Sequence, residues 1–187
     1  MNARSLELPA SGGCQRLVDH LQQRSTVILL GLGVLAAIAH ATFRLPLRLP
    51  GHHGLEWMAL LVIARQVSAY RWGATVAASG AAASSLLPML GFHDPLTPLT
   101  YLVPGIVIDL LCLLMPTAKR HSVIFLGVAS ALAYATKPLI QWAGGLALGL
   151  RFDSWSVGLA YLVAMHTLFA FAGGSIAAYL WRRATPR

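Results

Sequence analysis

The stretch LRLPGHHGLEW (residues 47–57) places two imidazoles and a carboxylate, His52, His53 and Glu56, within five residues. Groups of these types can move protons, ligate a metal or hydrogen-bond a polar solute. A second short stretch, GFHDP (91–95), adds His93 and Asp94. Lys137 and Gln141 put an ammonium and an amide inside otherwise apolar sequence, and His40, Asp153 and His166 are further ionisable groups in apolar surroundings or beside them. His53-x-x-Glu56 with His52 and His93 contains nitrogen and oxygen donors suited to Ni, Co or Zn, but the spacing matches no closed zinc motif. Haem held between His40 and His166 would need a facing geometry that nothing in the sequence imposes. A nucleophilic serine has no support: Ser79, Ser84 and Ser85 form no nucleophile elbow, and helical serines ordinarily bond back to their own carbonyls. No phosphate-binding loop is present, so hydrolysis of nucleotide by this chain is not expected.

The elements that must position these groups are apolar. The 187 residues are 57% hydrophobic and 11% charged, against about 25% charged in an ordinary soluble domain. Too little polar surface exists to cover a globule in water. A bilayer core about 30 Å thick takes roughly 20 apolar residues per helix. Six stretches meet that need, at about 26–43, 54–71, 73–91, 98–116, 122–142 and 155–181. The expectation is therefore an all-α integral membrane protein. A compact bundle of six transmembrane helices would cover residues 26–181, after a polar segment 1–25 and before a basic tail 182–187. RLVDHLQQR, in the first segment, reads as a short interfacial helix. Ala39-x-Ala41 resembles a signal-peptidase site, but the preceding leader is long and mixed in charge, so segment one is expected to stay.

An even number of spans puts both termini on one side, and Lys and Arg choose it. With the termini inside, the cytoplasmic set is Arg4, Arg16, Arg24, Arg71, Lys119, Arg120, Arg182, Arg183 and Arg187; the outer set is Arg44, Arg48 and Arg151. The imbalance predicts cytoplasmic termini. It also accounts for a formal charge of +8 without a nucleic-acid partner. Trp57, Tyr101, Trp142 and Trp155 then fall near the outer interface, and Tyr70, Trp72 and Trp181 near the inner one. Cys14 and Cys112 offer neither a disulfide nor a metal motif.

In segment one, Gly33, Ala37 and Ala41 repeat every fourth residue and share a face on which another helix could pack closely. Arg65 lies roughly 9 Å from the inner surface and Asp109 about 10 Å from the inner end of segment four, by helix rise. Equal depth predicts a structural Arg65–Asp109 ion pair, because buried membrane charges seek partners. Glu56 points to the opposite face of its helix from Arg65, so those two cannot pair. Lys137 precedes Pro138, which frees the Tyr134 carbonyl and predicts a kink. AGGLALGLRFDSW, after Trp142, is Gly-rich and reads as an outer loop or re-entrant turn. His40, His52, His53, Glu56, His93, Asp94, Lys137, Gln141 and Asp153 all sort to the outer half or to outer loops, with His166 somewhat deeper. They predict a polar rim over a helical cup that binds a small polar solute.

Six helices in fewer than 200 residues, the stripe in helix one and the ligand-capable outer loops resemble the substrate-binding S component of energy-coupling factor (ECF) vitamin transporters. RLPLRLPGHHGLEWMALLVIAR and YLVPGIVIDLL also read like stretches of that family. The resemblance spans about residues 26–181 and rests on loose motifs. It implies a solute-binding subunit of a bacterial inner-membrane importer, not itself an enzyme. Its partners would be a transmembrane T subunit and two cytoplasmic ATPases. It assigns partner docking to Gly33, Ala37 and Ala41, and solute binding to His52, His53, Glu56, His93, Asp94, Lys137 and Gln141, with no cofactor. The nickel and cobalt branch carries a histidine directly after the initiator methionine; here position two is Asn2. The alternative is a metal- or haem-holding membrane subunit using His52, His53, Glu56 and His93.

Overall fold

The computed structural model describes residues 12–42, 49–68, 70–117, 119–150 and 156–185, with side chains in the first helix from Ser25 onward. Arg4, Arg44, Arg48, Arg151, Asp153, Trp155 and Arg187 lie outside the described residues, as do the side chains of Cys14, Arg16 and Arg24. The described residues are all-helical, without strands: α1 (Gly12–Thr42), α2 (His53–Val67), α3 (Gly73–Ser84), α4 (Thr97–Leu114), α5 (Val123–Leu148) and α6 (Leu159–Ala184). Four of these have the length and composition to cross a membrane: α1 over Ser25–Thr42, α4, α5 and α6.

The other two helices are shorter than the hydropathy of their segments implies. The 15 residues of α2 span about 22 Å and the 12 of α3 about 18 Å, at 1.5 Å per residue. Segment three therefore does not run as one helix to residue 91. Near its end Ser84 donates to the Gly80 carbonyl at 2.8 Å and Ser85 to the Ala82 carbonyl at 2.8 Å. Pro88 has no N–H with which to continue the ladder. The chain instead makes a 3₁₀ turn at Pro88–Leu90 and leaves it through Gly91, at φ +69°.

At the other extreme, α5 continues past Trp142. The Gly-rich stretch expected to be a loop stays helical to Leu148 and stops at Gly149, whose φ of +67° is left-handed. The helix also continues through Pro138. α1 begins at Gly12, so RLVDHLQQR is the first part of that helix and not a separate interfacial one.

Successive helices alternate in direction. His40 at the C-terminal end of α1 meets His53 at the N-terminal end of α2. Phe92, after α3, meets Tyr101 in the first half of α4. At the opposite end Arg65 of α2 meets Asp109 of α4. α2 is the central rod: Met58, Leu61, Val62 and Ala64 are fully buried. α3, α4, α5 and α6 follow one another round it, and α1 packs outside, mainly on α3.

Small residues set these crossings. A Cβ on Gly33 would collide with the Ala77 carbonyl of α3, and one on Gly80 with the Leu30 carbonyl of α1. Ala37 is fully buried on the same face. The Gly33–Ala37 stripe is a close-packing face as its spacing predicts. It is covered by α3 of its own chain, however, and is not free for a partner subunit; Ala41, only half-buried, lines a cavity instead. α5 and α6 meet reciprocally, Gly127 against Ser175 and Gly174 against Ser130.

Arg65 and Asp109 form an ion pair, Nε to Oδ1 at 3.3 Å, with Asp109 fully buried. The carboxylate does more than balance charge. It accepts from the Thr75 N–H at 2.7 Å, the Thr75 hydroxyl at 2.8 Å and the Ala74 N–H at 3.4 Å. These donors are in the first turn of α3, whose own N-cap residue, Trp72, makes no side-chain capping bond. Asp109 thus caps α3 from α4, placing a negative charge at the positive end of the helix dipole. Arg65 also donates from Nη1 to the Tyr70 carbonyl at 3.2 Å, tying down the α2–α3 turn.

Candidate functional site

The polar groups converge at the end of the bundle opposite the Arg65–Asp109 pair. Their placement starts at Gly51. Its φ of +81° is left-handed, and a Cβ there would strike the backbone and ring of His166. Only glycine suits both conditions. The turn is closed by the Gly54 N–H donating to the Gly51 carbonyl at 2.8 Å. It delivers His52 and His53 to the start of α2. His52 Nδ1 donates to the Leu49 carbonyl at 2.7 Å. A carbonyl only accepts, so that bond fixes which nitrogen of a neutral His52 carries the proton.

His53 lies between two other imidazoles. Its ring stacks on His40 with centroids 4.0 Å apart and planes 20° from parallel, and it lies 3.9 Å from the ring of His52. His40 Nδ1 shares a 2.8 Å hydrogen bond with Tyr101 Oη. Tyr101 packs edge-on against Trp57 at 5.0 Å and Phe92 at 6.0 Å. Glu56 Oε1 is 3.7 Å from His53 Nδ1, close enough for an ion pair if the imidazole is charged and too far for a hydrogen bond. Four elements thus meet around the His40–His53 stack: α1, α2, α4 and the loop after α3.

A second group lies on α5 and α6. Lys137 Nζ donates to Tyr134 Oη at 3.4 Å and sits 5.5 Å from the centre of the same ring. Tyr134 in turn lies 5.3 Å from the His166 ring. His166 Nδ1 donates to the Leu162 carbonyl at 2.7 Å. The two groups meet at the turn into α2, where Gly51 lies against His166 and Gly54 against the Tyr134 ring. Asp94 accepts from the Leu96 N–H at 2.9 Å and from Gln141 Nε2 at 3.2 Å, fastening the loop to α5.

Two cavities flank the His40–His53 stack. The wider, about 360 Å³, is lined by His40, Ala41, His52, His53 and Leu90–Phe92. That volume falls within the range of small-molecule sites. The narrower, about 70 Å³, lies between α1 and α2 and is lined by Ala36, Ala39, His40, His53, Glu56, Trp57 and Leu60.

Of the residues expected to bind solute, His52, His53 and Glu56 line these cavities. Asp94, Lys137 and Gln141 stand behind them. His93 is exposed on the loop, and its neighbour Phe92 turns inward in its place. His93 therefore does not complete a ligand set with His52, His53 and Glu56. Among the described residues, no group of three or more His, Cys, Asp or Glu side chains is arranged to hold a metal ion. His40 and His53 stack face to face, while His52 is tilted 38° from His53.

Tyr101, Tyr134, Phe92 and Trp57 are the parts of the site that residue type alone did not mark. Trp57 and Tyr101 look like interfacial aromatics in the sequence, yet they are 4% and 5% exposed and face the interior. Their positions near the ends of segments two and four, level with His40 and His53, are the signal that places them with the histidines. No protein-family model, curated protein or solved structure matches this chain.

Proposed function

We propose that the chain is a membrane-embedded solute-binding subunit of the S-component kind. It takes a small vitamin-like or polar organic solute from outside a bacterial cytoplasmic membrane and passes it to a T subunit coupled to ATPases. In this reading all six helices are embedded, with the short α2 and α3 sheathed by longer ones. Both termini are cytoplasmic, and the histidine end of the bundle faces outward. One observation carries the reading: ionisable and aromatic side chains from all the helices but α3, joined by Phe92 of the loop that follows it, gather beside a 360 Å³ cleft at one end of a bundle of apolar helices. Burying such groups in apolar surroundings is costly, so a cluster of this size has a use. The positive residues expected inside, Arg71, Lys119, Arg120, Arg182 and Arg183, belong to the other end of the alternating bundle. The docking surface for the T subunit is not the Gly33–Ala37 stripe, because α3 covers it.

Native mass spectrometry of freshly purified protein tests the proposal. A retained organic molecule of a few hundred daltons is expected, lost in His53→Ala and kept in His93→Ala. Retention of nothing, in protein that melts cooperatively, would refute solute binding.

A further inference from the structure

The narrower cavity between α1 and α2 differs in kind from the wider cleft. Ala36, Ala39 and Leu60 give it apolar walls, and His53, Glu56 and Trp57 give it polar ones. His53 Nδ1, Glu56 Oε1 and Trp57 Nε1 are buried there without a hydrogen-bond partner among the described residues. Trp57 is 4% exposed, so its indole N–H has given up water. A tryptophan at a membrane interface ordinarily keeps that group wet. His53 Nδ1 and Glu56 Oε1 lie 3.7 Å apart, beyond hydrogen-bond reach, so three unsatisfied polar atoms belong to residues that line one crevice, a costly arrangement that a bound group would relieve.

Their chemistry defines the group. An indole N–H only donates, a carboxylate only accepts, and an imidazole Nδ1 does either. The complement is a lone pair beside an N–H donor on one planar edge. A primary carboxamide or an amino-azine presents that edge. A carboxylate presents two acceptors and would meet Glu56 with like charge. The volume of about 70 Å³ is the room of about two waters, at roughly 30 Å³ each, so it admits a functional group and not a whole molecule. His40 and His53 line both cavities, and their stacked rings are the wall between them. α1 leans on α3 far more than on α2, which makes the α1–α2 seam the easier one to open.

We infer that Trp57, Glu56 and His53 form a recognition subsite for the amide or amino-azine edge of the solute. The body of the solute occupies the wider cleft, and the His40–His53 stack parts to admit the edge. This rests on the solute-binding reading above and names the substrate class.

The test follows the Trp57 Nε1–H resonance in full-length protein labelled with ¹⁵N-indole, assigned by its disappearance in Trp57→Phe. Benzamide and 2-aminopyridine should move it saturably, and benzoate should not. Glu56→Gln should weaken benzamide binding at least about tenfold, the scale of one hydrogen bond to a charged group. Ala39→Leu, which fills the crevice without touching a polar group, should abolish the response and gives a second variant should Glu56→Gln not fold. A resonance that no probe moves, equal responses to benzoate and benzamide, or unchanged binding in both variants would overturn the inference. A natural solute retained in mass spectrometry beside a silent Trp57 resonance removes the subsite alone and leaves solute binding standing.

Discussion

Replacing Asp109 by alanine should cost far more stability than neutralising its ionic partner, and the difference follows from the bonds on the carboxylate. Asp109 accepts from Thr75 twice and from Ala74 once, all in the first turn of α3, and pairs with Arg65 at 3.3 Å. Asp109→Ala strips the cap from α3, worth about 1 kcal/mol. It also leaves Arg65 without its counter-charge, a loss of about 3–5 kcal/mol for buried pairs. The lower end applies, because the Arg65 side chain is 15% exposed and keeps the Tyr70 carbonyl. The sum is about 4 kcal/mol. Arg65→Met removes one partner from a carboxylate that still has three donors and a helix N-terminus, so about 2 kcal/mol is expected. Reversible unfolding in mixed micelles, titrated with SDS, measures both variants and the double mutant. The double mutant should cost less than the two singles added together. Equal costs for the two single variants, or a larger one for Arg65→Met, would refute the assignment of Asp109 as the cap of α3.

Three further outcomes are expected. Gly33→Ala should destabilise by about 1–3 kcal/mol through overpacking against Ala77, whereas Gly31→Ala, with nothing within 4 Å of its Cβ, should be neutral or stabilising by up to about 1 kcal/mol; melting curves in detergent compare them. Tyr101→Phe should cost about 1 kcal/mol, for the 2.8 Å bond to His40, and the same melting curves check it. In intact cells, an impermeant maleimide should label His93→Cys, while Lys119→Cys should react only after permeabilisation. The reverse pattern would invert the proposed orientation.

The helices long enough to span a membrane were legible from hydropathy, since a run of apolar residues is a direct readout of the solvent they require. Arg65 and Asp109 were legible from depth, because burial forces charges at one level to pair. Their second role was not, since a cap donated by another helix leaves no local signature at Trp72. The length of α3 was hidden for a related reason. Hydropathy scores Leu86, Leu87 and Met89 as continuing the span, while Ser84, Ser85 and Pro88 end the helix beforehand. Gly144 and Gly145 misled in the opposite direction: they read as loop, yet Gly144 accommodates Leu96 and Gly145 is buried within α5. The Gly33 stripe announced close packing but not with what, because spacing shows a face and says nothing of its occupant. In the candidate site, His52, His53 and Glu56 stood out by type. Trp57 follows His53 by one helical turn and so shares its face, whereas Tyr101 joins them only in three dimensions, through its contacts with His40 and Trp57.

The stunted α3 has a consequence for the lipid around it. Beyond its last turn, Leu86, Leu87 and Met89 are 69%, 48% and 86% exposed, carried on backbone that is no longer helical. Hydrocarbon tolerates such backbone poorly. With all six helices embedded, as proposed above, the acyl chains on this flank draw in, and the hydrophobic mismatch dimples the leaflet beside the cleft. Thin bilayers suit that dimple, and thick, sterol-stiffened ones oppose it. Under that proposal the membrane's own thickness governs how readily water and a solute reach the histidines.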